Sequence, residues 1–126
     1  NGGMGWTTKR VLLVDDEPMI VRVLRRFLEK HKYEVFEAGG RKQALDVFHK
    51  EKPFHTLLCD VHLGVDNGWK LAEEIYLAQP SIRVLMISGA LNSRVTPDTL
   101  AYRMLYKPFT HDDLEQALNG HWEDTT

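Results

Sequence analysis

Four acidic residues, a serine and a lysine carry the chemical interest of this chain. Asp15, Asp16 and Glu17 follow at once on four apolar residues in VLLVDDEP, residues 11–18. Asp60 closes HTLLCD, residues 55–60, Ser88 closes IRVLMIS, residues 82–88, and Lys107 follows the short apolar MLY and precedes Pro108. Adjacent carboxylates repel, and low dielectric nearby sharpens the repulsion. Asp15 and Asp16 therefore either face open water or share a cation with Asp60. Oxygen-only ligands select a hard ion, so the pair reads as a site for Mg²⁺ or Mn²⁺. An aspartate carboxylate can also attack phosphorus and form an acyl phosphate. Phosphoryl transfer requires charge to be neutralised at the equatorial oxygens. A divalent ion, the Lys107 ammonium and the Ser88 hydroxyl, set around Asp60, would meet that requirement.

Such a site needs elements that bring distant residues to one edge, and the sequence supplies them by alternation. Residues 10–14, RVLLV, form a short continuous apolar run of the kind expected of a strand buried on both faces. Pro18 opens a helix, where its missing N–H costs nothing, and Ile20, Leu24, Phe27 and Leu28 share one face of it. YEVFEA (33–38) reads as a second strand, broken by Gly39-Gly40. Ala44, Leu45 and Phe48 mark a second helix that stops before Pro53. HTLLCD is the third strand. Asn67-Gly68 is a turn signal, and Leu71, Ala72, Ile75 and Ala78 build a third helix. IRVLMIS is the fourth strand and MLY a short fifth. Thr110 caps a last helix with Asp112 and Asp113 in its first turn. Buried strands alternating with amphipathic helices predict an α/β fold with a parallel sheet covered on both faces. In such sheets ligands bind outside the carboxyl ends of the strands. Asp15, Asp16, Asp60, Ser88 and Lys107 all arrive at that edge.

Bulk properties narrow the alternatives. A chain of 126 residues fits one domain, with residues 1–8 read as a loose lead-in and 9–126 as the domain. A net charge of −2 offers no basic field for nucleic acid. No apolar run approaches the roughly 20 residues of a membrane helix. The single cysteine, Cys59, precludes an internal disulfide and makes a reducing, cytoplasmic setting the expectation; alternating side chains point it away from Asp60, buried and inert. The six histidines lack metal-ligand spacing, so zinc is not expected.

The blocks VLLVDDEP, LLCDVHLGVDNG, VLMISG and LYKPF, in this order and nearly at family spacing, resemble the four signature blocks of the receiver domain of two-component response regulators. Each block alone is weak; the four together are specific, and the resemblance covers about residues 9–120. It implies a flavodoxin-like (βα)5 fold, a doubly wound five-stranded parallel sheet of order 2-1-3-4-5. It implies that Asp60 accepts a phosphoryl group from a histidine kinase or histidine phosphotransfer domain, in a signalling module rather than a conventional enzyme. Asp15 and Asp16 would bind Mg²⁺, Asp16 directly and Asp15 through water, with the backbone carbonyl of His62 completing the protein's share. Ser88 and Lys107 would contact the phosphoryl group, and Lys107-Pro108 would be a cis peptide.

Some positions depart from the pattern. Met104 stands where receivers usually carry Tyr or Phe, a ring that moves with the residue at Ser88, so the switch formed by Ser88 and Met104 is expected to be altered. Residues 91–103 are short for the family, contain Pro97, and put in question the surface used for an output domain or a homodimer. Gly64 in GVDNG is expected to loosen the region after Asp60; His62 and Ala90 occupy rate-tuning positions. Taken singly, Asp15 and Asp16 would serve as helix-dipole charges, Glu17 as a first-turn charge, Lys107 as a solvated lysine and Ser88 as a turn residue. The competing readings are a pseudo-receiver that only binds a partner, a dehalogenase-type aspartyl-phosphate hydrolase, and a flavin mononucleotide binder. The hydrolase expects its acid two residues after the nucleophile, and the flavin reading expects a phosphate loop where this chain places carboxylates.

Overall fold

A computed structural model describes residues 8–89 and 102–119. Seven strands and four helices occur among them. The order is β1 (Lys9–Val14), α1 (Pro18–Lys30), β2 (Tyr33–Ala38), α2 (Arg41–Glu51), β3 (Thr56–Asp60), β4 (His62–Leu63), β5 (Asp66–Asn67), α3 (Gly68–Ala78), β6 (Arg83–Ser88), β7 (Tyr102–Tyr106) and α4 (His111–Asn119). Five strands form one parallel sheet in the order β2-β1-β3-β6-β7, the expected 2-1-3-4-5. The continuous apolar runs behave as their composition dictates: Val11 to Val14, Leu57 to Cys59 and Val84 to Ile87 are fully buried. Strand alternation sends neighbouring residues to opposite faces. Leu12, Val14, Leu57, Cys59, Val84 and Met86 pack with Phe48, Leu71 and Ile75 on one side of the sheet. Val11, Leu13, Leu58, Leu85 and Ile87 pack with Leu24, Leu28, Leu114 and Leu118 on the other. Each such side chain contributes about 1.5–3 kcal/mol by leaving water.

The helix boundaries have local causes. Pro18 begins α1, and Thr110 caps α4 reciprocally: its Oγ1 accepts from the Asp113 N–H at 3.0 Å, and Asp113 accepts from the Thr110 N–H at 2.9 Å. The structure corrects four details. Asn67-Gly68 is no turn, because Asn67 caps α3, accepting from the Trp69 and Lys70 N–H groups at 2.8 and 3.4 Å. Ala78 lies on the face of Leu71 and Ile75 but, as the last residue of α3, is exposed. The last strand begins at Tyr102, two residues before the MLY run, its half-buried edge position needing less apolar sequence. Gly64 does not leave a loose loop: with φ of 63° it turns an antiparallel hairpin that pairs His62 with Asn67 and Leu63 with Asp66. The Lys107-Pro108 bond is cis, as is Lys52-Pro53. Among the described residues no helix is long and apolar enough to cross a membrane. The expectations for Ala90, Pro97 and most of 91–103, and for the two termini, lie outside the described residues.

Candidate functional site at the carboxyl edge of the sheet

The parallel register delivers the predicted residues together. Val61 N–H donates to the Ile87 carbonyl and Lys107 N–H to the Ser88 carbonyl, both at 2.8 Å, so the last turns of β3, β6 and β7 are tied edge to edge. Asp60 is 5 % exposed and takes two charge-assisted hydrogen bonds. Its Oδ2 accepts from Lys107 Nζ at 2.9 Å, and its Oδ1 accepts from the His62 N–H at 2.7 Å. Ser88 is fully buried at the end of the adjacent strand.

Asp15 is buried beside this pair, and its Oδ1 accepts from the Glu17 N–H at 2.9 Å. Its Oδ2 is buried with no hydrogen-bond partner among the described residues. Burial, then the nearby Asp60 charge, push its carboxyl up to about 7, against the Glu17 bond and the Lys107 charge. Lys107 is held above its usual value: burial alone would lower it, but the Asp60 hydrogen bond and the charges of Asp60, Asp15 and Glu17 outweigh that. Asp16 is exposed, and Gly64 of the hairpin lies against it, a Cβ there falling 3.5 Å from Asp16 Oδ2.

A cation fits this arrangement. Asp15 Oδ2 is a buried carboxylate oxygen without a donor, beside a second carboxylate, and every side-chain donor atom here is oxygen. Among the described residues no three His, Cys, Asp or Glu side chains close around one point. Mg²⁺ takes one or two carboxylates directly and fills its octahedron with water and other oxygens, so further acids at such a site act through water.

Three contributors escaped the sequence reading. Glu17, read as a helix charge, places Oε1 3.8 Å from Lys107 Nζ. Gly68 lies so close to β3 that a Cβ would fall 2.0 Å from the Asp60 carbonyl oxygen, and its only sequence signal is a glycine at a helix start. Asp66 reaches the start of α2, accepting from the Arg41 N–H. Cys59 is buried as expected, its thiol pushed up by burial and then by Asp60 and Asp15. Met104 pairs with Met86 across β6 and β7, half-buried against the core.

The response regulator receiver domain family matches residues 11–119. The chain belongs to that family. This receiver domain is 32% identical over 111 residues to the alginate biosynthesis transcriptional regulatory protein AlgB of Pseudomonas syringae pv. tomato, a match covering 86% of this chain and 25% of that regulator. It is 32% identical over 109 residues to the response regulator receiver protein CpdR of Brucella abortus, covering 84% of this chain and 90% of CpdR. The fold is similar to the crystal structure of response regulator protein TrrA from Thermotoga maritima in complex with Mg(2+)-BeF, with a TM-score of 0.78, 25% identity, and coverage of 88% of this chain and 96% of that one. The receiver domain is thus a two-component signalling module with the flavodoxin-like fold. It spans only a quarter of AlgB but most of CpdR.

Proposed function

We propose that this receiver domain is a phosphoacceptor: Asp60 takes a phosphoryl group from the phosphohistidine of a histidine kinase or histidine phosphotransfer domain. The Asp60 carboxylate attacks phosphorus, the P–N bond breaks, and the imidazole leaves with the bonding pair. Lys107, already 2.9 Å from Asp60 Oδ2, stays beside the new acyl phosphate and offsets its charge. The buried Ser88 hydroxyl donates to a phosphoryl oxygen from the neighbouring strand. Asp15, Asp16, Asp60 and the His62 carbonyl would hold Mg²⁺, which when bound neutralises charge on the phosphoryl oxygens. The Mg(2+)-BeF complex described for the Thermotoga relative supports this assignment. The observation that carries the reading is Asp60 held between Lys107 and the His62 N–H, with the donorless oxygen of Asp15 alongside. The cytoplasm, where a free thiol such as Cys59 stays reduced, is the compartment this reading requires.

The deciding experiment is intact mass after incubation with acetyl phosphate, with and without Mg²⁺, on the wild type and Asp60→Asn. A Mg²⁺-dependent phosphoryl adduct on the wild type alone is expected. No adduct, with fast hydrolysis controlled for, supports the second reading, a pseudo-receiver that binds a partner without a phospho-switch. Met104 favours that second reading, since a thioether cannot present the ring or hydroxyl usual at its position.

A further inference from the structure

The two halves of the cation site come from different loops, and one segment joins them. Asp15 follows β1, and its N–H donates to the Ala38 carbonyl at 3.1 Å, at the end of β2. Three residues later α2 begins. Its N-cap is Gly40, which has no side chain to satisfy the helix's first N–H groups. Asp66, twenty-five residues away in sequence, does so instead: its Oδ2 accepts from the Arg41 N–H at 3.1 Å. Gly40 leaves room for this, because a Cβ there would sit 3.3 Å from the same oxygen. The Arg41 guanidinium then forks onto Glu74 of α3, at 2.8 and 2.6 Å. Asp66 pairs with Leu63 in the hairpin that begins at His62, and Gly64 of its turn lies against Asp16. A two-stranded ribbon is marginal by itself. This one is fixed by the buried Leu63, by the Asn67 cap and by Asp66.

We propose that Asp66 is a positioning residue of the cation site. Its carboxylate clamps the β4–β5 hairpin onto the start of α2 and so sets the spacing between the β1-end carboxylates and the His62 carbonyl. The inference rests on the receiver chemistry proposed above. It assigns Asp66 an effect on metal affinity beyond its effect on stability.

The test is Mn²⁺ binding to the full chain, followed by the electron paramagnetic resonance of free Mn²⁺ and by competition with Mg²⁺. Asp66→Ala is expected to weaken binding several-fold, approaching the roughly tenfold that loss of a group bonded directly to a metal ligand costs. Asp66→Asn keeps an oxygen acceptor for the Arg41 N–H and is expected to restore near-wild-type affinity. Gln79→Ala is the control for stability alone: Gln79 holds the Phe54 N–H and carbonyl at 2.9 and 2.6 Å, far from the site, and its loss should leave Mn²⁺ affinity unchanged. Should Asp66→Ala fail to fold, Asp66→Val, which also lacks an acceptor and suits a strand, is measured against the same criterion. Wild-type affinity in Asp66→Ala, or an equal loss in Gln79→Ala, overturns the proposal. No Mn²⁺ binding by the wild type overturns the metal-site reading itself, a result distinguishable from either.

Discussion

Gly68→Ala is the sharpest probe of how the fold holds Asp60, the proposed phosphoacceptor. Alanine is favoured over glycine in a helix by up to about 1 kcal/mol, and Gly68 opens α3, so propensity alone predicts stabilisation. Packing predicts the reverse. The added methyl would lie 2.0 Å from the Asp60 carbonyl oxygen, 2.9 Å from Val61 Cα and 3.0 Å from the Asp60 carbonyl carbon. All three are backbone atoms, so no side chain can swing away. Restoring van der Waals contact requires α3 or the end of β3 to move by roughly 1 Å or more, and overpacking of this kind costs about 1–3 kcal/mol. On central values the clash outweighs propensity, for a net loss of about 1 kcal/mol. For a domain of this size that lowers Tm by roughly 4 °C. Two of these three atoms belong to Asp60 itself, and a misplacement of about 1 Å can cost on the order of 10²-fold in rate. Urea unfolding with an unchanged m-value, and phosphorylation by acetyl phosphate at a temperature where the variant is folded, report the two effects. A variant as stable as the wild type would refute the reasoning, showing that α3 is free to pivot at its first residue.

Two further outcomes follow from charges in the structure. Lys107→Ala should retain Mg²⁺ binding while losing the response to phosphorylation, because Lys107 neutralises Asp60 rather than ligating the ion; a titration in which Mg²⁺ affinity collapses would remove the lysine from its assigned place. His55 is buried, and burial, then the charges of Arg83 and Lys9, lower its pKa from 6.5 to about 4. Between those values the unfolded chain binds more protons, so this contribution to stability is complete above about pH 6.5 and is lost as pH falls toward about 4. Urea midpoints measured across that window should fall more steeply in the wild type than in His55→Gln; parallel curves would contradict the assignment.

The strands were legible in the sequence because a buried parallel sheet demands unbroken apolar runs, and residues 11–14, 57–59 and 84–87 have no other use. The gathering of Asp15, Asp60, Ser88 and Lys107 was legible because each polar residue terminates or follows such a run, and parallel strands end on one edge. What escaped depends on contacts across loops. Asn67 followed by glycine has the composition of a turn, and only the approach of α3 to β3 shows that asparagine is a cap and glycine a clearance. Asp66 caps a helix that begins 25 positions before it, a relation without local pattern. Glu17 meets Lys107 only because β7 ends beside β1's loop in space, on the far side of β3 and β6 in sheet order.

β3 is buried from Thr56 to Asp60, with a neighbouring strand on each side and a packed core above and below. A strand so confined behaves as an anvil. Protein interiors are close-packed and hardly compressible, so a blow struck at its tip is not absorbed along its length. Whatever is added to the Asp60 carboxylate must therefore be read sideways, by the loops that meet it at the rim. The partner of this domain would feel a rearranged perimeter around an unmoved floor.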